Sequence, residues 1–124
     1  MNSSLPRRPG PTRRIRVSEW TPEWPDHGRE DRVAVEEPLE VRLSAPGLPP
    51  RTVGVVMRTP GHDFELAAGW LVSEGIVTTA GIASVCYCTD TSLRRDQEFN
   101  VVTLEATEVV GPLPQARVVN SACG

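Results

Sequence analysis

Apolar and polar positions alternate through residues 32–43, RVAVEEPLEVRL. Val33 and Val35 share one face, and Leu39, Val41 and Leu43 share a face with Glu40 and Arg42 opposite. A period of two predicts a strand, and Pro38 within it predicts a bulge or an edge, because proline has no amide hydrogen for a ladder. Residues 52–57 alternate again through Val53, Val55 and Met57, and the stretch between, SAPGLPPR at 44–51, is a loop by composition. The two runs predict an antiparallel hairpin.

The period then changes. In residues 58–76, RTPGHDFELAAGWLVSEGI, Phe64, Ala67, Ala68 and Leu71 recur at i, i+3, i+4 and i+7, one buried stripe of a helix, with Leu66 and Trp70 on its flank. Thr59 is the expected N-cap and Pro60 the first helical residue. Asp63 and Glu65 place negative charge near the positive end of the helix dipole. Gly75 stands where a left-handed residue closes a helix, and Ile76 can fold back on Leu71. Gly69, inside the helix, predicts a close approach by another backbone.

Further strands are predicted over residues 82–88, 99–106 and 117–119, with a polar loop at 89–97 and a segment broken by Gly111, Pro112 and Pro114. The reading is α+β: a small, mostly antiparallel sheet of four or five strands packed on one principal helix, within residues 32–119. Residues 1–31, rich in Pro, Arg and Ser and without periodicity, read as a disordered arm whose apolar bulk is mainly Trp20 and Trp24.

Composition changes this picture in three places. The 124 residues are enough for one domain, and no apolar run approaches the roughly 20 residues of a membrane helix. The N-terminus has arginines but no apolar core of a secretory signal, so no such signal is read there. All thirteen basic residues are arginine, and the net charge of −3 is uneven: residues 1–16 carry +5 and the remainder −8. The arm could touch an anionic partner through Arg13, Arg14 and Arg16, but an acidic body argues against nucleic acid as the main partner.

Three cysteines, Cys86, Cys88 and Cys123, are the candidate chemistry. Without a secretory signal, an odd set reads as a reactive or ligand thiol, not a disulfide framework. Cys86 and Cys88 form C-x-C on a predicted strand and face one way, which reads as small buried residues or, with Cys123 and a histidine, a zinc site; the spacing matches no common structural zinc pattern. Cys123 follows an apolar strand within small residues, NSACG, and is sterically open. Its thiolate would need positive potential or a hydrogen bond nearby, for which Arg58, His62 and Arg117 are candidates; for His62 a capping or packing role is the alternative. Glu36 and Glu37 are adjacent on a strand, so they point to opposite faces and cannot both line one pocket.

The segment EEPLEV at 36–41, the block MRTPGHDFELAAGWLVSEGI at 57–76, the run Asn100-Val101-Val102 and the ending NSACG at 120–124 occur in one order. That order resembles the formate dehydrogenase accessory sulfurtransferase family, FdhD, from about Val33 to the last residue. The resemblance implies a cytoplasmic sulfur carrier, homodimeric at full length. Such a carrier takes persulfide sulfur from a cysteine desulfurase and passes it to the molybdenum (or tungsten) bis-pterin guanine dinucleotide cofactor of formate dehydrogenase. The family's reactive loop reads S-C-G-x-C-G, and its persulfide-carrying first cysteine falls on Cys123. The second cysteine would lie three residues further on, followed by a deaminase-like second domain with the residues that hold the dinucleotide. The chain therefore reads as the N-terminal half of a member, with residues 120–124 opening the reactive loop. No tightly bound cofactor and no resident metal are expected, and no residue here is assigned to cofactor binding. Ala122, where serine is common, removes one hydroxyl beside the thiol. A non-catalytic docking or dimerisation module retained from that family is the alternative reading.

Overall fold

A computed structural model describes residues 8–88, 92–94 and 97–119. Its elements follow the hydrophobic pattern closely in the body. Strand β3 (Glu37–Ala45) buries Leu39, Val41 and Leu43 completely and leaves Glu40 and Arg42 on the other face, as the alternation requires. It pairs antiparallel with β4 (Leu48–Arg58). The expected loop at 44–51 is much shorter than its composition implies. Ala45 already pairs with Leu48, and the chain reverses over Pro46 and Gly47, the glycine at φ +77°. Proline fixes one corner of the turn and glycine supplies the left-handed one, so the flanking residues are free to join the ladder.

The predicted face of β4 is corrected by a bulge. The register shifts between Val41 and Arg42, where Val53 is the extra residue on β4. Val53 is buried, as expected, but beyond it Gly54, Val56 and Arg58 point inward opposite Val41, Leu39 and Glu37. Val55 and Met57 are thereby turned to the outer face; one inserted residue reverses every later side chain.

Helix α1 (Asp63–Ser73) begins later than the sequence indicates. His62, not Thr59, is the N-cap, and Thr59, Pro60 and Gly61 form the turn before it. The C-terminus is as expected: Gly75 sits at φ +70°, its amide donates to Val72 O, and the Ile76 amide reaches back to Leu71 O. Ala67 and Leu71 are buried, while Phe64, Leu66, Ala68 and Trp70 are half-buried around them. Gly69 is exposed with open space where a Cβ would stand, so no backbone approaches it. Close approaches occur instead at Gly54, where an added Cβ would meet the Trp70 ring at 2.5 Å and Arg117 O at 3.2 Å, and at Gly111, where it would meet the Gly75 carbonyl.

A 3-10 turn at Thr79–Gly81 leads into β5 (Ile82–Tyr87), which pairs antiparallel with β6 (Val101–Ala106). Strand β6 runs parallel to β3, and β7 (Arg117–Val119) runs parallel to β4, giving the order β5-β6-β3-β4-β7. Two of the four pairings in this sheet are parallel, so it is a mixed sheet within the expected α+β class. Pro38 is tolerated inside β3. The Glu40 amide donates to Asn100 O on the β6 side, and two residues earlier the proline nitrogen points past the start of that ladder. The helix covers one face, where Val102, Leu104, Ala106, Ile76 and Val77 complete the core.

Residues 12–34 differ from the expected mobile arm. Strands β1 (Thr12–Glu19) and β2 (His27–Ala34) form a separate antiparallel ribbon, so the single strand read over residues 32–43 is divided, its part up to Ala34 belonging to β2 and its part from Glu37 to β3. Hydrogen-bonded pairing, not burial, orders it: nearly every position is exposed, with only Ile15, Val17 and Asp31 half-covered within the strands. Charge pairs Arg29–Glu19 and Arg29–Asp31, both near 3 Å, lace it together. Such residues carry no apolar periodicity for a sequence reading to detect.

Candidate functional site

Arg58 closes the inward face of β4 at the end of the sheet where α1 begins, and the fold must neutralise it because it is almost fully buried. Its Nε and Nη2 donate to the two oxygens of Asp63, at 2.9 and 3.0 Å, a forked pair. Nη2 also donates to Phe99 O and Asn100 Oδ1, and Nη1 to Glu37 O. Tyr87, on β5, donates its hydroxyl to Asp63 Oδ2 at 2.8 Å, and its ring packs on Phe64 and Phe99. One charged pair thus ties β3, β4, α1, β5 and the approach to β6.

The electrostatics follow from this packing. Burial pushes the Asp63 carboxyl upward, but hydrogen bonds from Arg58 and Tyr87 and the charge of Arg58 outweigh it and hold the group below the ordinary carboxylate range. Burial and then the Asp63 hydrogen bond push Tyr87 up to about 12. Arg8 lies 5.1 Å over the Tyr87 ring and donates to Gly61 O, so the residue that leads into the ribbon is fastened to the helix start. Beside this network Pro11, Thr59, Pro60, Gly61, His62 and Leu66 line an open cleft of about 440 Å³.

The structure brings Arg58 and His62 to this same end, in different states. Every nitrogen of Arg58 is engaged in the network. His62 is 90% exposed, makes no capping hydrogen bond through its side chain, and has Nδ1 3.8 Å from Glu65 Oε1. Arg117 lies elsewhere: it starts β7 opposite Gly54 and donates to Glu74 Oε1 at 3.0 Å, at the far end of α1. Strand β7 nevertheless runs from Arg117 toward the Arg58 end, with Val119 opposite Val56. Cys123 and residues 120–124 lie outside the described residues. Glu36 is exposed, and Glu37 turns its carboxylate to 3.9 Å from Arg58, so the two do face apart.

Cys86 and Cys88 are not buried, contrary to expectation. Cys86 is exposed and Cys88 half-buried, both on the face of the sheet away from the helix. Strand β5 is at the sheet edge and Cys86 stays exposed there, its Sγ 3.9 Å from Thr103 O, so small apolar character did not imply burial. Among the described residues, no cluster of three metal-ligating side chains forms. Sequence reasoning missed the Tyr87 and Asn100 contributions. Asp63 was legible only as a dipole charge, though an arginine five residues before an acid across a Pro-Gly turn was a usable signal.

No family model matches the chain. Curated relatives do. The chain is 39% identical over 101 residues to the sulfur carrier protein FdhD of Streptomyces avermitilis, covering 77% of this chain and 34% of that protein. It is 36% identical over 114 residues to FdhD of Nocardia farcinica, covering 91% and 39%. It is 39% identical to FdhD of Thermoplasma volcanium over 77% of its own length and 34% of that protein. The crystal structure of a proposed formate dehydrogenase accessory protein from Desulfotalea psychrophila superposes with a TM-score of 0.65 at 20% identity, over 84% of this chain and 38% of that one, so the fold is shared. The chain spans between a third and two fifths of the length of these relatives. No helix among the described residues is long and apolar enough to cross a membrane. By sequence and by fold, and over the part of their length that it spans, the chain belongs with the FdhD sulfur carrier family.

Proposed function

We propose that this chain carries sulfur as a persulfide on Cys123. The thiolate attacks the outer sulfur of a persulfide held by a cysteine desulfurase; the donor's S–S bond breaks, a new one forms on Cys123, and the donor cysteine leaves as a thiolate. The sulfur then passes to a molybdenum or tungsten bis-pterin guanine dinucleotide, here a substrate, destined for formate dehydrogenase. The setting is the cytoplasm, and the working form is a homodimer. The observation that carries this reading is similarity to proteins named as sulfur carriers, together with a cysteine set among small residues in NSACG. The direction of β7 supports it, since that strand leads toward the end of the sheet with the cleft, His62 and the helix start.

The test is to incubate the protein with a cysteine desulfurase and cysteine, and to weigh its tryptic peptides. A gain of one sulfur on the tryptic peptide of residues 118–124, which holds Cys123, is expected in the native protein, with no such gain on that peptide in Cys123→Ala and circular dichroism unchanged. Native protein that gains no sulfur on that peptide overturns the role of Cys123. A second reading, a docking or dimerisation module, is supported by the exposed Trp20 and Trp24 at the ribbon tip. It expects concentration-dependent self-association or partner binding with no sulfur gain.

A further inference from the structure

We propose that Cys86 and Cys88 form a second station for sulfane sulfur, on the open face of the sheet. The inference rests on the sulfur-carrier reading but concerns different atoms.

Two residues apart on one strand, the thiols point the same way. Cys88 extends the β5 ladder, its amide donating to Val101 O at 2.9 Å. Arg42, on β3, places Nη1 3.7 Å from Cys88 Sγ. That guanidinium is aimed by its neighbours: Nε donates to Glu40 Oε1 at 2.7 Å, and Glu40 is itself held by the Thr52 hydroxyl. Hydrogen bonding outweighs burial to keep the Glu40 carboxyl below its ordinary range, so the anchor remains anionic. Next to Cys88 in the sheet, Pro38, Glu40, Val55, Leu93 and Val101 line a shallow groove of about 300 Å³.

The spacing selects the chemistry. Strand geometry puts the two Cβ atoms about 6.6 Å apart, at about 3.3 Å per residue. A disulfide needs about 3.5–4.5 Å, so the pair cannot close on itself while β5 stays paired. One additional sulfur, on a bond of about 2.05 Å, extends either thiol toward the other. The exposed Cys86 thiolate attacks the outer sulfur of a small persulfide or polysulfide. The donor's S–S bond breaks, with its electron pair leaving on the donor thiolate, and an S–S bond forms on Cys86. Cys88 then attacks that same outer sulfur. Cys86 departs and takes up the proton Cys88 gives up; the new persulfide on Cys88, more acidic than a thiol, releases its own proton to water, and the resulting anion rests against Arg42. Sulfur moves between thiols without a net change of oxidation state, so no oxidant is required.

Trypsin separates this site from Cys123. Residues 59–94 form one arginine-terminated peptide with both Cys86 and Cys88, whereas Cys123 falls in residues 118–124. Protein is treated with inorganic polysulfide, persulfides are trapped by alkylation, and both peptides are weighed. The 59–94 peptide is expected to gain one sulfur in the native protein and in Cys123→Ala. In Cys88→Ser the retained sulfur is expected to fall by roughly tenfold, and in Arg42→Met several-fold, since an unheld persulfide on exposed Cys86 is discharged to solvent thiols. Circular dichroism verifies each fold. Should Arg42→Met unfold, Thr52→Val, which loosens the anchor alone, should lower retention in the same direction. Sulfur found only on 118–124 overturns the second station and leaves the Cys123 reading standing; sulfur only on 59–94 does the reverse. Equal retention in Cys88→Ser, or no effect of either anchor variant, also overturns the proposal.

Discussion

The five-stranded sheet and the β1–β2 ribbon have comparable ladders but different reasons to exist. In the sheet, Leu39, Val41, Leu43, Val102 and Leu104 are sealed under the helix, and the two buried charges among the described residues, Arg58 and Asp63, are paired with each other. In the ribbon, eight residues pair with eight, yet Trp20 and Trp24 are 71% and 66% exposed and half of the strand residues are charged. Backbone hydrogen bonds exchange with water and contribute little net stability, whereas burial of apolar surface does. A two-stranded ribbon by itself is marginal. The sheet is therefore the folding unit, and the ribbon is an appendage, its two ends joined by Val35 N donating to Pro11 O and fastened to the helix start by Arg8 and by the chain itself.

The sharpest way to break that contrast is at Asp63. Asp63→Ala leaves Arg58 buried without its carboxylate, and loss of one partner of such a pair costs about 3–5 kcal/mol. Against a domain stability of about 5–15 kcal/mol, that loss should appear as a large drop in the urea midpoint. Asp63 also sets an acid limit. Its folded value is depressed, so its contribution is present above the unfolded value of 3.8 and is lost as pH falls through the lower folded value. Tyr87 sets the alkaline one. Its folded value is raised, so stability is full below the unfolded 10.0 and is lost as pH rises toward about 12. Tyr87→Phe should cost about 1.5–3 kcal/mol at neutral pH and flatten that alkaline loss.

Gly54 comes next. Alanine there must displace the Trp70 ring, and because Arg117 O lies on the other side, the ring and β7 compete for the same space. Overpacking of this kind costs about 1–3 kcal/mol, read as a lower urea midpoint. Gly69→Ala is the counterpart with opposite sign. The position is helical and open, so alanine should stabilise by up to about 1 kcal/mol. The two glycines show what the sequence made legible. Both interrupt an apolar pattern, and only the fold reveals which one a neighbour occupies. The helix, its glycine stop, the β3 face and the hairpin were all legible, because each depends on a local period or a single turn residue. The β4 face was not, since the bulge at Val53 leaves no mark in an alternating run. The Arg58–Asp63 pair was half-legible, because its partners Tyr87 and Asn100 arrive from distant strands.

The smallest expected effect belongs to the ribbon, and it tests whether that element is held by its own side chains. Arg14 stands directly opposite Arg32 in the register, while Arg16 faces Glu30. Like charges directly opposite destabilise a strand pair, and opposite charges contribute roughly 0.2–1 kcal/mol. Arg32→Glu should therefore slow amide hydrogen exchange in β1 and β2 by a few-fold, more at low salt than at high, because the pair is exposed and screened. The urea midpoint of the body should not move, since no buried contact is altered. A shift in that midpoint equal to the local gain would mean that ribbon and sheet unfold together, and the ribbon would then have to be counted as part of the folding unit.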